Sequence, residues 1–224
     1  WWGDSLMLRN GMSFTHSRKI KNFDMIFSAN HYNDRGYIKY INNQQTRISG
    51  NTKLVKDRMT FGLNINYMQR KSGLFVMWDC DTNAYVPLGG TNIPNNGNRF
   101  YIDPSITYYH NSFKHILRSR ILSRNLIYSS NTKNNSLMTF NEYQNQFQNE
   151  NTTITSGFTL VTLRGRTKSF DSQFSIDGKI SGINYNTYLQ LDQRLNKFNF
   201  SLGGRYEYFD LNNTNFGQPV FRGG

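Results

Sequence analysis

Apolar and polar residues alternate with a period of two over long stretches of this chain. The pattern is clearest between Ile183 and Asp210, where the alternating runs 183–192 and 198–208 flank a polar turn at Leu195-Asn196-Lys197. Successive side chains of a β-strand point to opposite faces, so each run predicts a strand with one apolar and one polar face. Soluble strands average about 5–6 residues, whereas strands that cross a bilayer need about 9–11. These runs therefore predict a hairpin that spans a membrane.

The same alternation recurs along the chain and predicts ten strands. Their approximate bounds are 6–17, 23–32, 46–54, 59–68, 101–109, 115–128, 137–148, 153–163, 183–192 and 198–208. Tight turns are predicted near residues 20, 57, 112, 150 and 196, and every connection between them is predicted to be longer, including loops at 71–99 and 164–178.

This sorting of the connections predicts the architecture. Outer-membrane barrels have short periplasmic turns and longer extracellular loops, so short and long connections alternate along the chain. A Greek-key sandwich has no reason to show this alternation. The chain is therefore predicted to be all-β, an antiparallel up-and-down transmembrane β-barrel segment. Strands that follow a tight turn should run outward from the periplasm, and we expect an open curved sheet with two unpaired edges.

Composition agrees with a barrel that is apolar outside and polar inside. Hydrophobic residues make up 37% of the 224 residues and aromatic residues 15%, and the mean hydropathy is −0.67. Such a mixture arises when only every second strand residue is apolar. Aromatic residues at the predicted strand ends should form two interfacial girdles: Phe23, Tyr32, Tyr67, Tyr101, Tyr109, Tyr128, Phe198 and Tyr208.

The charge balance is strongly basic, but the charges are spread along the sequence. Lys and Arg number 26 against 14 Asp and Glu, which gives a formal net charge of +12. Because the cations do not gather into a stripe, nucleic acid is not expected as a partner. Lipopolysaccharide and lipid outside the barrel, and an anionic cargo inside it, are both compatible with this charge.

Three arginines lie at even-numbered positions of the predicted strand 115–128 and therefore on one face of it: Arg118, Arg120 and Arg124. Arginine on the lipid face costs about 2–4 kcal/mol at the bilayer midplane, so we expect all three to face the lumen. There they could hold an anionic chelate or pair with carboxylates of a plug, and the alternative is a solvated wall. The opposite face of this strand is only partly apolar, and a β-bulge could change which residues point to each face.

The longest predicted loop carries a second set of candidate residues, Trp78, Asp79 and Tyr85, around Cys80 and Asp81. Loops at the mouth of a barrel could touch a substrate, and the alternative is that they only shield the mouth.

No motif for catalysis or for a resident metal occurs in the sequence. The four histidines show no metal-ligand spacing, and no nucleophile with a base, no carboxylate pair and no phosphate-binding glycine loop is present. We therefore predict no catalytic residue, no metal site and no cofactor, and an enzyme is the least expected class. The histidines are His16, His31, His110 and His115.

Six short motifs occur in a fixed order along the whole chain. They are Trp1-Trp2-Gly3-Asp4; His16-Ser17-Arg18 before Phe23-Asp24-Met25; Asn33-Asp34-Arg35-Gly36-Tyr37; Lys71-Ser72-Gly73-Leu74-Phe75 through Trp78; Ile102-Asp103-Pro104; and Phe198 to Tyr208 followed by Pro219-Val220-Phe221-Arg222. Together they resemble TonB-dependent outer-membrane receptors. The opening on Trp1 without an initiator Met, and an end that reads like the start of a strand, suggest an internal piece of a longer protein.

The resemblance implies a barrel of about 22 strands in the Gram-negative outer membrane, of which residues 1–224 would form a part. It also implies a plug, a TonB box that couples to the TonB–ExbB–ExbD complex, and import of an iron–siderophore chelate, another metal chelate, cobalamin or a glycan. None of the family's ligand motifs maps onto a position here. The alternatives are a passive porin or other outer-membrane barrel, and a soluble β-sandwich that binds carbohydrate.

Overall fold

The computed structural model describes residues 8–35, 42–74, 77, 88, 93–128, 132–170, 175–212 and 214–224. These ranges contain eleven β-strands, and no helix within them is long and apolar enough to cross a membrane. The strands are β1 Arg9–Ile20, β2 Phe23–Asp34, β3 Asn43–Lys56, β4 Met59–Leu74, β5 Ile93–His110, β6 Phe113–Tyr128, β7 Thr132–Gln148, β8 Thr152–Phe170, β9 Ser175–Leu195, β10 Phe198–Leu211 and β11 Thr214–Gly223.

The eleven strands form one antiparallel sheet in which every strand pairs with its neighbours in sequence. The order runs from β1 to β11 without a crossover, so β1 and β11 are the two edges. This confirms the predicted all-β, up-and-down architecture and the open sheet. The predicted count of ten strands is one too low, because residues 214–223 pair with β10 along their full length.

One end of the sheet carries only tight connections, and we call it the turn end. Two-residue turns there have a first residue in the left-handed region, with φ of 52° at Lys21, 50° at Asp57, 50° at Asn111 and 52° at Asn196. Positive φ at this position matches the twist of the flanking strands in a two-residue hairpin. The remaining connection, 149–151, is closed by a hydrogen bond from the Asn149 backbone N–H to the Thr152 carbonyl, 2.8 Å. All five predicted tight turns are thus confirmed.

The opposite end, the loop end, is less uniform than predicted. Its connections are 35–42, 75–92, 129–131, 171–174 and 212–213, so the rule that every one is long is wrong. The predicted loops 71–99 and 164–178 are also too long, because β4, β5, β8 and β9 extend into them. In these extensions most residues are polar regardless of face, so the period-two signal disappears although backbone pairing continues.

The register aligns apolar side chains from strand to strand on one face of the sheet, which we call the apolar face. A single row of directly paired residues crosses it from β3 to β8: Leu54, Phe61, Ile106, Leu117, Tyr143 and Phe158. Monomeric soluble proteins rarely expose contiguous apolar patches larger than a few hundred Å², so this face requires an apolar surrounding.

Almost nothing in the described part of the chain is buried. Phe200 and Leu202 on the apolar face are 54% and 65% exposed, and the described side chains form no second layer over them. The buried residues among those described are Ile116, Asn66 and Thr159. A sandwich would bury one face of each sheet, so the soluble β-sandwich alternative is wrong.

The predicted aromatic girdles are only half right. The register places Phe23, Tyr67, Phe198 and Tyr208 on the apolar face. It places the other predicted members on the opposite, polar face, because a shift of one residue along a strand reverses the face. These are Tyr32, Tyr101, Tyr109 and Tyr128. At the turn end the apolar face also carries a group of aromatic and imidazole rings in contact: Tyr108, Phe113, His115, Tyr143 and Phe147.

Successive hairpins are displaced by a constant step. The row of paired residues through Phe23 meets the first residue of β2, the third of β4, the fifth of β6, the seventh of β8 and the ninth of β10. A steady stagger of this kind is the shear that a sheet needs to close into a barrel with tilted strands.

Candidate ligand site on the polar face

The structure places the three candidate arginines of β6 on the polar face. The register of β5 with β6 is the same on both sides of Pro104, with Ile102 opposite Ile121 and Ser105 opposite Arg118, so no extra residue forms a bulge in this described segment. The hydrogen-bond ladder is interrupted between these pairs because proline has no backbone N–H. Arg118, Arg120 and Arg124 therefore share a face.

Two of these arginines are paired with carboxylates of the neighbouring strands. Arg120 donates from Nε and Nη2 to the two carboxylate oxygens of Asp103, both at 2.7 Å, and its guanidinium lies 5.3 Å from the centre of the Tyr101 ring. Arg118 Nη1 lies 3.5 Å from Glu142 Oε2. Their charges are balanced within the wall, which fits a structural role better than a ligand-binding one.

Arg124 has a different environment. It lies directly opposite Arg99 of β5 on the polar face, and like charges in that position destabilise a sheet. Among the described residues, the buried Nε of Arg99 has no hydrogen-bond partner. An anion that accepts hydrogen bonds from both guanidinium groups would relieve the repulsion and satisfy this donor.

Two more arginines extend this pair into a cluster. In the amide orientation that satisfies both groups, Asn66 Oδ1 accepts hydrogen bonds from Arg47 Nε at 2.9 Å and Nη2 at 3.3 Å. Arg70 Nε donates to Asn43 Oδ1 at 3.1 Å. Neutral amides hold these guanidinium groups without neutralising them. We refer to Arg47, Arg70, Arg99 and Arg124 as the arginine cluster.

The surroundings of the arginine cluster are apolar or neutral. The polar-face row that contains Arg47, Arg99 and Arg124, and the rows directly above and below it, contain no carboxylate among the described residues. Leu122 and Leu126 flank Arg124 on the same face of β6. Apolar walls around a few fixed polar groups are typical of small-molecule sites.

Sequence reasoning missed most of this cluster. The predicted loop 71–99 includes Arg99, and Arg70 lies beyond the predicted end of the strand 59–68. Arg47 lies within the predicted strand 46–54, but nothing in its immediate sequence links it to β5 or β6. One pattern could have revealed Arg99. It lies at an odd-numbered position like Tyr101 and Asp103, so extending the predicted strand toward residue 93 puts all three on one face.

The other predicted site residues have a simple outcome. Trp78, Asp79 and Tyr85 lie outside the described residues. Within the described ranges no group of three or more His, Cys, Asp or Glu side chains could hold a metal ion. Three of the histidines, His31, His110 and His115, have local hydrogen-bond partners, and His115 Nδ1 lies 2.9 Å from Tyr143 Oη.

A tyrosine on β9 ties the wall below the arginine cluster together. Tyr188 Oη donates to Glu142 Oε1 at 3.2 Å, and its ring lies over Gly157 of β8. We expect Gly157→Ala to displace the ring and to destabilise the barrel by about 1 kcal/mol through loss of this hydrogen bond. Gly165→Ala, in the same strand and on the same face, meets only ordinary van der Waals contacts and is the control. Equal urea midpoints for the two variants in lipid vesicles would contradict this.

Comparison with solved structures identifies the fold. The ferric yersiniabactin uptake receptor FyuA from Yersinia pestis matches at a TM-score of 0.67 and 12% identity, over 97% of this chain and 42% of that one. The ferric citrate transporter FecA in the unliganded form matches at 0.63 and 12%, over 99% and 39%. BauA, the ferric preacinetobactin receptor from Acinetobacter baumannii, matches at 0.67 and 8%, over 96% and 42%.

These matches concern the fold. The chain has the fold of a barrel segment of such receptors and spans about two fifths of their length. No known family's sequence profile matches the chain, and no curated protein matches it in sequence. The fold expected from the resemblance to TonB-dependent receptors is confirmed, and the polar face corresponds to the inner wall of the barrel.

Proposed function

We propose that this chain is the barrel portion of an outer-membrane receptor that imports an anionic iron chelate. The observation that carries the proposal is the arginine cluster, which combines four cations without a described carboxylate in their rows, on the inner wall of a receptor-like barrel. The same fold in receptors for ferric yersiniabactin, ferric citrate and ferric preacinetobactin supports iron chelates as the cargo class.

The chemistry of the arginine cluster favours an anion with several oxygen acceptors. Guanidinium groups are planar and permanently charged, and they bind carboxylates in a bidentate manner. Hydrogen bonds to charged groups contribute about 1.5–3 kcal/mol each, so two or three of them select for charge as well as shape. The flanking Leu122 and Leu126 provide apolar surface for the organic part of a chelate.

Energised transport is part of the proposal. A plug that fills the lumen and a TonB box that binds the TonB–ExbB–ExbD complex would belong to the longer protein. A barrel of about 22 strands, as the resemblance implies, encloses a lumen wide enough for a plug, and in outer-membrane transporters of that size the lumen is plugged. Asp103 and Glu142, already paired with arginines, would then form the inner wall against that plug.

Growth on limiting iron tests the proposal. A strain whose only route for ferric citrate is the full-length protein should grow on it, and deletion of the energising complex should abolish that growth. A hydroxamate chelate without net negative charge is the control cargo and should support growth poorly. Unchanged growth after deletion of the complex would favour the passive porin, and equal use of both chelates would contradict selection by the arginine cluster.

A further inference from the structure

Cations on the apolar face gather in one place, although they are scattered in the sequence. Five of them lie at the loop end of β7, β8 and β9, and we call them the outer basic patch: Lys133, Arg164, Arg166, Lys168 and Lys179. Elsewhere on this face of the described strands the cations are single: Arg18, Lys56 and Lys71.

The outer basic patch begins where the apolar surface of β8 ends. Reading the apolar face of β8 from the turn end, Ile154, Ser156, Phe158, Leu160 and Thr162 are followed by Arg164, Arg166 and Lys168. The neighbouring strands show the same change, from Leu137 to Lys133 and from Ile183 to Lys179. The patch therefore lies at the border between hydrocarbon and headgroups.

The register brings like charges together within the patch. Lys133 is directly opposite Lys168, and Arg166 is directly opposite Lys179. Such pairs have Cβ atoms about 4.5–5.5 Å apart and destabilise a sheet. In the rows of directly paired residues that contain the patch, Asp177, opposite Lys168, is the one acidic residue of the described strands. The five cations therefore outnumber the acidic residues.

A shallow cleft of about 340 Å³ lies within the patch, lined by Lys133, Asn135, Arg166 and Lys168. Arg164, Arg166, Lys133 and Lys179 are exposed. Three charged side chains and an amide around one cleft can bind phosphate oxygens, because arginine and lysine are the usual phosphate-binding side chains.

We propose that the outer basic patch binds the phosphate groups of a multiply phosphorylated lipid in the surrounding leaflet. The acyl chains of that lipid would lie on the apolar surface immediately below the patch, which a free anion could not use. The inference rests on the outer-membrane placement proposed above but not on the cargo. A failure of chelate transport with intact lipid binding, or the reverse, therefore separates the two proposals.

Native mass spectrometry of the purified full-length protein in detergent tests the inference. The probes are lipid A with two phosphates, monophosphoryl lipid A, phosphatidylcholine and inorganic phosphate. We expect binding in the order two phosphates, one phosphate, none, and no competition from inorganic phosphate. Equal binding of phosphatidylcholine, or saturation by inorganic phosphate, would overturn the proposal.

Charge-removal variants locate the site. Each cation near an anionic membrane surface strengthens attachment roughly fivefold, so the triple variant Arg164→Gln, Arg166→Gln, Lys168→Gln should bind bisphosphorylated lipid A about 100-fold more weakly. The matched control removes three cations at the turn end: Arg18→Gln, Lys56→Gln and Lys197→Gln. It should stay within about twofold of the unmodified protein. An equal loss in both variants would show a general charge effect and reject the site.

Two further variants keep the test informative if the triple variant does not fold. Arg164→Lys with Arg166→Lys keeps the charge and should retain binding within about fivefold. Lys133→Gln with Lys179→Gln removes charge from the two flanking strands and should weaken binding about 25-fold. Unchanged binding in this double variant would reject the assignment.

Discussion

Replacing Leu189 by arginine is expected to destabilise the barrel in the membrane by about 2–4 kcal/mol and to lower its folded fraction. Leu189 lies in the middle of the apolar face of β9 and is 57% exposed. Arginine at the bilayer midplane costs about 2–4 kcal/mol in a barrel, which lowers the folding equilibrium about 30- to 700-fold. Since domains are stable by only about 5–15 kcal/mol, much of the margin is lost. The measurement is the folded fraction in isolated membranes and the urea midpoint in lipid vesicles.

The adjacent residue supplies the control. Gln190 lies on the polar face, and its amide donates to Asp192 Oδ1 at 3.0 Å. Gln190→Arg introduces the same charge next to a carboxylate and in contact with water, so we expect a change within about 0.5 kcal/mol. If both variants assembled equally well, the apolar face would not be in contact with lipid, and the assignment of the two faces would be wrong.

Removal of the central arginine pair is expected to have the second largest effect, this time on binding. Arg99→Gln and Arg124→Gln each remove a charged donor, and the loss of a charge-assisted hydrogen bond lowers affinity about tenfold or more. The double variant should bind ferric citrate at least about 100-fold more weakly while its urea midpoint rises or stays constant, because a like-charge pair is removed. Fluorescence titration of the purified full-length receptor measures the affinity.

An ion pair in the same wall provides the comparison for that experiment. The double variant Arg120→Gln, Asp103→Asn removes a cation and its carboxylate together, so the net charge of the wall does not change. We expect its affinity for ferric citrate to stay within about twofold, because Arg120 already has an acceptor for its donors. A loss as large as that of the Arg99 and Arg124 variant would mean that the whole wall, and not the arginine cluster, determines affinity.

The parts of the fold that meet lipid could be predicted from the sequence. Where one face touches hydrocarbon and the other water, as in 183–192 and 59–68, alternation is imposed by the two solvents and is visible in a single sequence. The tight turns were also predictable, because polar turn residues mark them in the sequence. Asp57, Asn111 and Asn196 adopt the positive φ that a two-residue hairpin needs, and Asp and Asn tolerate it well. Both signals are local.

The parts that extend beyond the lipid could not be predicted in the same way. Arg164 to Lys168 and Asn95 to Arg99 continue their strands with polar side chains on both faces, so their pairing depends on neighbours far away in sequence. The arginine cluster was missed for this reason: Arg99 and Arg124 meet only through the register of β5 with β6. The sequence predicts Tyr101 and Tyr109 at the lipid interface, but the register puts them on the polar face, because a shift of one residue along a strand reverses the face of its side chains.

The alternation of side chains between the two faces also has a consequence before the barrel exists. Over a window of about 19 residues the apolar positions are diluted by polar ones, so the unpaired chain presents no continuous apolar surface. The apolar face forms only when neighbouring strands pair and bring Phe61, Ile106 and Leu117 side by side.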